Sequence, residues 1–136
     1  MARAAKDDPP IVLVVEDEFI IALDLSETVK DLGFELEGPY ADKENAFMAI
    51  DREMPDCAIL DVYTGDGEVY PLADALVDAG VPIIFHSGHV APQDVLSRYP
   101  QALACSKPCP PDLMIDLLHE AVDRAKANGR ANGHCL

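Results

Sequence analysis

Short apolar runs alternate along this chain with longer stretches in which apolar residues recur at helical spacing. Ile11 to Val15 is an unbroken run of β-branched residues and leucine, the pattern of a strand buried on both faces. From Glu18 to Leu32 the apolar positions Ile21, Leu25, Val29 and Leu32 form one helical stripe, and Gly33 stops it. Phe34 to Gly38 alternates apolar and acidic residues, predicting a half-exposed strand that Pro39 ends. Asp42 can cap a helix running through Asp51, with Ala46, Met48, Ala49 and Ile50 as its apolar side. Pro55 breaks the chain before a third strand, Cys57 to Leu60.

The second half keeps the rhythm. Val69 to Ala79 predicts a helix with Leu72, Ala73, Leu76 and Val77 inward, ended by Gly80. Val81 to Phe85 reads as a fourth strand, Asp94 to Tyr99 as a short helix between prolines, and Ala102 to Cys105 as a fifth strand. Pro111 to Ala127 predicts a last helix with Leu113, Leu117, Ala121 and Val122 inward; Pro111 suits its first turn. Five strands, each followed by a helix, imply an α/β domain with a five-stranded parallel sheet and helices on both faces. The domain is expected over residues 10–127, with flexible termini at 1–9 and 128–136.

Composition narrows the partners. The 136 residues include 25 acidic and 10 basic ones, for a formal net charge of −15. That balance repels phosphate backbones and anionic bilayers, so neither nucleic acid nor membrane is expected as a partner. No apolar run approaches the roughly 20 residues a spanning helix needs, and Met1 to Asp8 has no apolar signal core, which predicts a cytoplasmic address. The four cysteines, Cys57, Cys105, Cys109 and Cys135, contain no CxxC pair and are read as free thiols.

In parallel α/β sheets the site lies at the carboxyl ends of the strands. Those ends carry Glu16-Asp17-Glu18, Asp61, His86-Ser87-Gly88 and Ser106-Lys107-Pro108. Carboxylates gathered at one edge repel one another until a hard cation joins them, and oxygen donors of this kind suit Mg²⁺. Such an ion beside Asp61 can neutralise a phosphoryl group, Lys107 can hold one of its oxygens and Ser87 another; an aspartate carboxylate can itself accept the group covalently.

With Glu16-Asp17, Asp61, Ser87 and Lys107-Pro108 in this order at these strand ends, residues 10–127 resemble the receiver domain of two-component response regulators. The resemblance implies a flavodoxin-like fold, (βα)5. It also implies that Asp61 is the phosphoacceptor for a histidine kinase or histidine phosphotransfer protein, assisted by Lys107 and Ser87. By the same analogy Asp17, Asp61 and the backbone carbonyl of Tyr63 ligate Mg²⁺ directly, with Glu16 acting through water. Output would pass to a downstream protein whose identity the sequence leaves open.

A finer likeness is to the FATGUY receivers, often stand-alone alphaproteobacterial proteins of which several serve general stress signalling. It rests on Leu60-Asp61-Val62, on Gly67 to Leu76 and on Gly80 to Phe85. In the signature stretch Phe85-His86-Ser87-Gly88-His89-Val90, Phe85 and Gly88 agree, Ser87 replaces threonine, and His86, His89 and Val90 depart. Ordinary receivers place Tyr or Phe three residues before the lysine; Ala104 stands there, so the usual aromatic switch is missing. The ring of Tyr63 either shields a phosphoryl group from water or merely caps the pocket. His86, His89, His119 and His134 read as ordinary polar or surface residues. Two other functions stay open: a receiver-like interaction module independent of phosphorylation, and an aspartyl-phosphate phosphatase. The phosphatase needs a second acid two residues after its nucleophile, where this chain has Tyr63.

Overall fold

The structure, a computed structural model, describes residues 8–129. The strands and helices are β1 (Ile11–Val15), α1 (Phe19–Asp31), β2 (Glu35–Tyr40), α2 (Lys43–Arg52), β3 (Cys57–Leu60), β4 (Tyr63–Thr64), β5 (Gly67–Glu68), α3 (Tyr70–Asp78), β6 (Ile83–Ser87), α4 (Pro92–Arg98), β7 (Leu103–Ser106) and α5 (Pro111–Ala127). Five strands form one sheet in the order β2-β1-β3-β6-β7, every neighbouring pair parallel. The chain winds outward from β1 to β2, then crosses back to β3 and onward, so its direction reverses between β1 and β3. The anticipated α/β sheet is therefore present. The expectations for residues 1–7 and 130–136, including His134 and Cys135, lie outside the described residues.

Alternation along the strands assigns the helices to faces. Leu13, Val15, Ala58, Leu60, Ile83 and Phe85 pack with Ala46 and Ile50 of α2, Leu72 and Leu76 of α3, and Val95 of α4. Val12, Val14, Cys57, Ile59 and Ile84 face the other way, onto Leu25 and Val29 of α1 and Met114, Leu118, Ala121 and Val122 of α5. Strands covered on both sides must be apolar at every position, which is why β1 and β3 read as unbroken hydrophobic runs.

The differences from expectation have physical causes. β2 continues through Pro39 to Tyr40, because an edge strand can spare the missing N–H. Its register with β1 shifts between Leu13 and Val15. Gly38 sits beside that shift at φ +109, where a Cβ would come within 2.8 Å of the Val14 carbonyl oxygen. The fourth sheet strand starts two residues late, at Ile83, and runs on to Ser87. Met48, Val77 and Leu113, expected inward, are exposed: each lies at the margin of its helix's apolar stripe, and neighbours such as Ala49, Leu76 and Met114 fill the core.

Two features were not anticipated. Cys105 and Cys109, read as free thiols, are joined by a disulfide. The chain turns back after β7, bringing their Cα atoms to 6.0 Å, within the roughly 4.4–6.8 Å that a bridge spans. Tyr63 to Glu68 forms a hairpin in which Tyr63 pairs with Glu68 and Thr64 with Gly67. Its turn carries Asp66, whose carboxylate accepts the backbone N–H groups of Lys43 at 2.9 Å and Glu44 at 3.2 Å. Asp42 caps the same helix by accepting from the Asn45 N–H. The start of α2 is thus capped from two places in the chain.

Those amide bonds hold the Asp66 carboxyl at about 2, below the usual carboxylate range. Asp66→Ala should cost about 1 kcal/mol of stability in urea denaturation at neutral pH. Because the folded carboxyl binds its proton more weakly than the unfolded one, the contribution is full above about pH 4 and fades as pH falls toward 2. A difference between the two proteins that persists undiminished in acid would contradict this account.

Candidate functional site

β1 and β3, the strands flanking the reversal, each end in a buried carboxylate. Glu16 follows β1 with its N–H donated to the Tyr40 carbonyl at 2.9 Å; Asp61 follows β3 with its N–H donated to the Val15 carbonyl at 2.9 Å. Glu16 is 2% exposed and Asp61 3%. β7 brings up Lys107, whose N–H donates to the Ser87 carbonyl at 3.1 Å.

The Lys107 ammonium lies 3.0 Å from Asp61 Oδ2, 3.0 Å from both Glu16 Oε1 and Oε2, and 2.8 Å from Glu18 Oε1. Glu16 Oε2 also accepts the Glu18 N–H at 3.0 Å, at the first turn of α1, where a helix favours negative charge. Glu16 Oε1, though close to the ammonium, is buried with no well-directed hydrogen bond. Burial pushes the Glu16 carboxyl up to about 7, further helped by repulsion from Asp61. Burial pulls Lys107 down, but its hydrogen bonds to Glu18, Glu16 and Asp61 outweigh this and hold it above the ordinary lysine value. The exposed Glu18 is lowered by its bond to Lys107.

Glu16, Glu18 and Asp61 each offer a carboxylate oxygen within 4.8 Å of the others. Three hard oxygen donors, one without a directed partner, fit a small divalent cation. Asp17, expected to ligate directly, is exposed and lies outside that group. Tyr63 donates its N–H to Asp61 Oδ1 at 3.4 Å, and its half-exposed ring meets His89 edge-on, centroids 5.9 Å apart. The Ser87 hydroxyl accepts the N–H groups of His89 at 3.2 Å and Val90 at 3.3 Å, which folds the loop after β6 over the strand end.

Two residues near the pocket escaped the sequence reading. Glu18, the third acid in Glu16-Asp17-Glu18, was treated as part of the helix start; its signal was the uninterrupted acidic triplet. His86 is 4% exposed with neither ring nitrogen hydrogen-bonded. Burial, then repulsion from Lys107, lowers its pKa below the ordinary histidine value. His119, by contrast, is exposed, as expected.

A five-stranded parallel sheet with acids at the reversal and a lysine opposite defines the CheY-like receiver fold of response regulators. The structure superposes on a CheY-like response regulator receiver domain protein from Methanospirillum hungatei with a TM-score of 0.78 at 22% identity, covering 90% of this chain and 100% of that one. It matches the response regulator PhyR from Brucella abortus with a TM-score of 0.76 at 27% identity, covering 88% of this chain and 50% of that one. In sequence it is 33% identical over 93 residues to the transcriptional regulatory protein PdtaR of Mycobacterium tuberculosis, covering 68% of this chain but only 41% of that protein. No family model matches. The chain carries a response-regulator receiver domain. No helix among the described residues is long and apolar enough to cross a membrane.

Lys107→Met should show what the ammonium does. Loss of one partner from a buried cluster predicts a stability loss of roughly 3 kcal/mol at pH 8. Most of that should return by pH 5. Glu16, whose folded carboxyl is raised to about 7, stabilises the fold below the ordinary carboxylate range, and that stability is lost as pH rises from that range through about 7. Urea denaturation at the two pH values checks this; an equal loss at both would mean the acids do not depend on Lys107.

Proposed function

We propose that this receiver domain is a phosphorylatable switch in which Asp61 accepts a phosphoryl group from a histidine kinase or histidine phosphotransfer protein. The observation that carries the reading is the buried Asp61 carboxylate hydrogen-bonded to the Lys107 ammonium at 3.0 Å within a cluster of acids. Three carboxylates around one ammonium leave an excess of negative charge where an anionic group must arrive. Glu16, Asp61 and either Glu18 or Asp17 would hold Mg²⁺, with the Tyr63 carbonyl as a further donor; the ion would neutralise charge on the incoming group. Asp61 supplies the attacking oxygen, Lys107 follows the charge onto the new phosphoryl oxygens, and the Ser87 hydroxyl turns from its loop amides to donate to one of them. Phe19 and Ile20, 76% and 68% exposed beside Glu18, offer a donor protein an apolar surface to bury.

Output is proposed to pass by protein interaction through α4, since Ala104 cannot serve as an aromatic switch. Tyr99, at the end of α4, stacks on Phe85 with centroids 5.2 Å apart and donates its hydroxyl to Asp74 of α3 at 2.7 Å. Phe85 lies two residues before Ser87 and pairs across the sheet with Ala104. A change at Ser87 is thereby linked through one ring stack to two helices. The FATGUY likeness, and with it a role in stress signalling, is the finer form of this proposal; the similarity to the PhyR stress response regulator, half of which this chain spans, supports the stress-signalling part.

Incubation with acetyl phosphate and Mg²⁺ should add one phosphoryl mass to the protein and none to Asp61→Asn. No gain, even from a phosphohistidine donor, would favour the phosphorylation-independent interaction module; release of phosphate over many turnovers would favour the phosphatase. In the phosphorylated protein, amide hydrogen exchange over residues 90–100 should change by at least threefold. An unchanged profile there would remove α4 from the signalling route.

A further inference from the structure

The disulfide lies beside the pocket. Cys105 is the buried third residue of β7, and Cys109 stands one residue before Pro110, which caps α5. Between them run Ser106, Lys107 and Pro108, so the bridge closes a five-residue ring that contains the cation of the site. Cys109 packs, partly exposed, against the layer formed with α1 and α5. A ring this short restricts the unfolded chain far less than a long-range bridge, so its main effect is local. It fixes the path of the backbone that presents Lys107 to Asp61, Glu16 and Glu18.

We propose that Cys105 and Cys109 are a thiol–disulfide redox site that sets how firmly Lys107 is held in the pocket. The proposal rests on the reading of Asp61 as phosphoacceptor. Cys109, the more accessible sulfur, is the point of attack for a dithiol reductant. One thiolate of the dithiol bonds to Cys109 Sγ and the Cys105–Cys109 bond breaks, releasing Cys105 as a thiolate that takes a proton. The second thiol of the reductant displaces Cys109 in the same way and leaves as the reductant's own disulfide, so two electrons and two protons pass to the protein. A peroxide reverses the change. A cysteine thiolate attacks one peroxide oxygen, giving a sulfenic acid and, after protonation, one water; the second cysteine displaces hydroxide from that sulfur, reforming the bridge and giving a second water. Reduction frees the segment from Ser106 to Pro110, and Lys107 then spends less time at the acceptor.

The test uses the full chain treated with hydrogen peroxide or with dithiothreitol. Alkylation after denaturation should add two groups to the oxidised protein and four to the reduced one, since the sequence holds four cysteines. Peptide mapping should place the bridge between Cys105 and Cys109. The reduced protein should be phosphorylated by acetyl phosphate and Mg²⁺ at least threefold more slowly. A Cys105→Ser, Cys109→Ser double variant should show the slow rate under both treatments. Faster amide exchange over residues 105–114 on reduction should accompany the change. Four alkyl groups after peroxide, a bridge to Cys57 or Cys135, or equal rates in both states would overturn the proposal. Phosphorylation in neither state would defeat the reading of Asp61 instead, and the exchange of residues 105–114 would then decide the redox site: unchanged exchange refutes it.

Discussion

An ammonium group surrounded by three carboxylates, two of them buried, is the arrangement from which the pocket's other properties follow. Two acids at the ends of adjacent parallel strands are held close by the sheet whether or not they repel, because β1 and β3 are hydrogen-bonded neighbours. Their charges must be met by something carried on another strand, and Lys107 of the β7 end is what arrives. Desolvating such groups costs about as much as their attraction returns, so the cluster adds little to stability as a whole while being costly to break. What it contributes is poise. Burial lifts the Glu16 carboxyl to about 7, and the lysine is shared among all three acids.

Much of this is legible in the sequence. The β1 and β3 runs and the carboxylates following them could be read because a strand covered on both faces admits almost nothing polar until it ends. The Lys107-Pro108 pair stood at the end of a fifth strand for the same reason. Edge features were harder. Pro39 argues against a strand only when both sides of that strand are paired, and periodicity does not say that β2 is outermost. Val77 and Leu113 sit on helix margins where apolar spacing alone does not separate core from rim. Glu18 was obscured because an acid at a helix start already has a local explanation. Its contact with Lys107, 89 residues away, depends on the winding of the sheet.

The cysteines illustrate a different limit. A spacing of four residues carries no pairing information by itself, since the distance between such residues depends on whether the chain extends, coils or reverses. At the end of β7 it reverses. Ala104 is a clearer case, because a small residue where the resemblance to receivers leads one to expect a ring says what is missing without saying what stands in for it. The ring contact that the structure does hold nearby is between Tyr99 and Phe85, whose stacking brings together α4 and β6.

The hairpin after Asp61 gives the pocket an anchor of an unusual kind. Asp61, Tyr63 and Asp66 lie within six residues, and Asp66 is fastened to the amides that open α2, more than twenty positions earlier in the chain. Asp61 is therefore tethered on one side by its strand and on the other, through the hairpin, by a helix from the preceding βα unit. One carboxylate, Asp66, thus serves two structures at once, and its loss would loosen the turn after Asp61 together with the opening of α2.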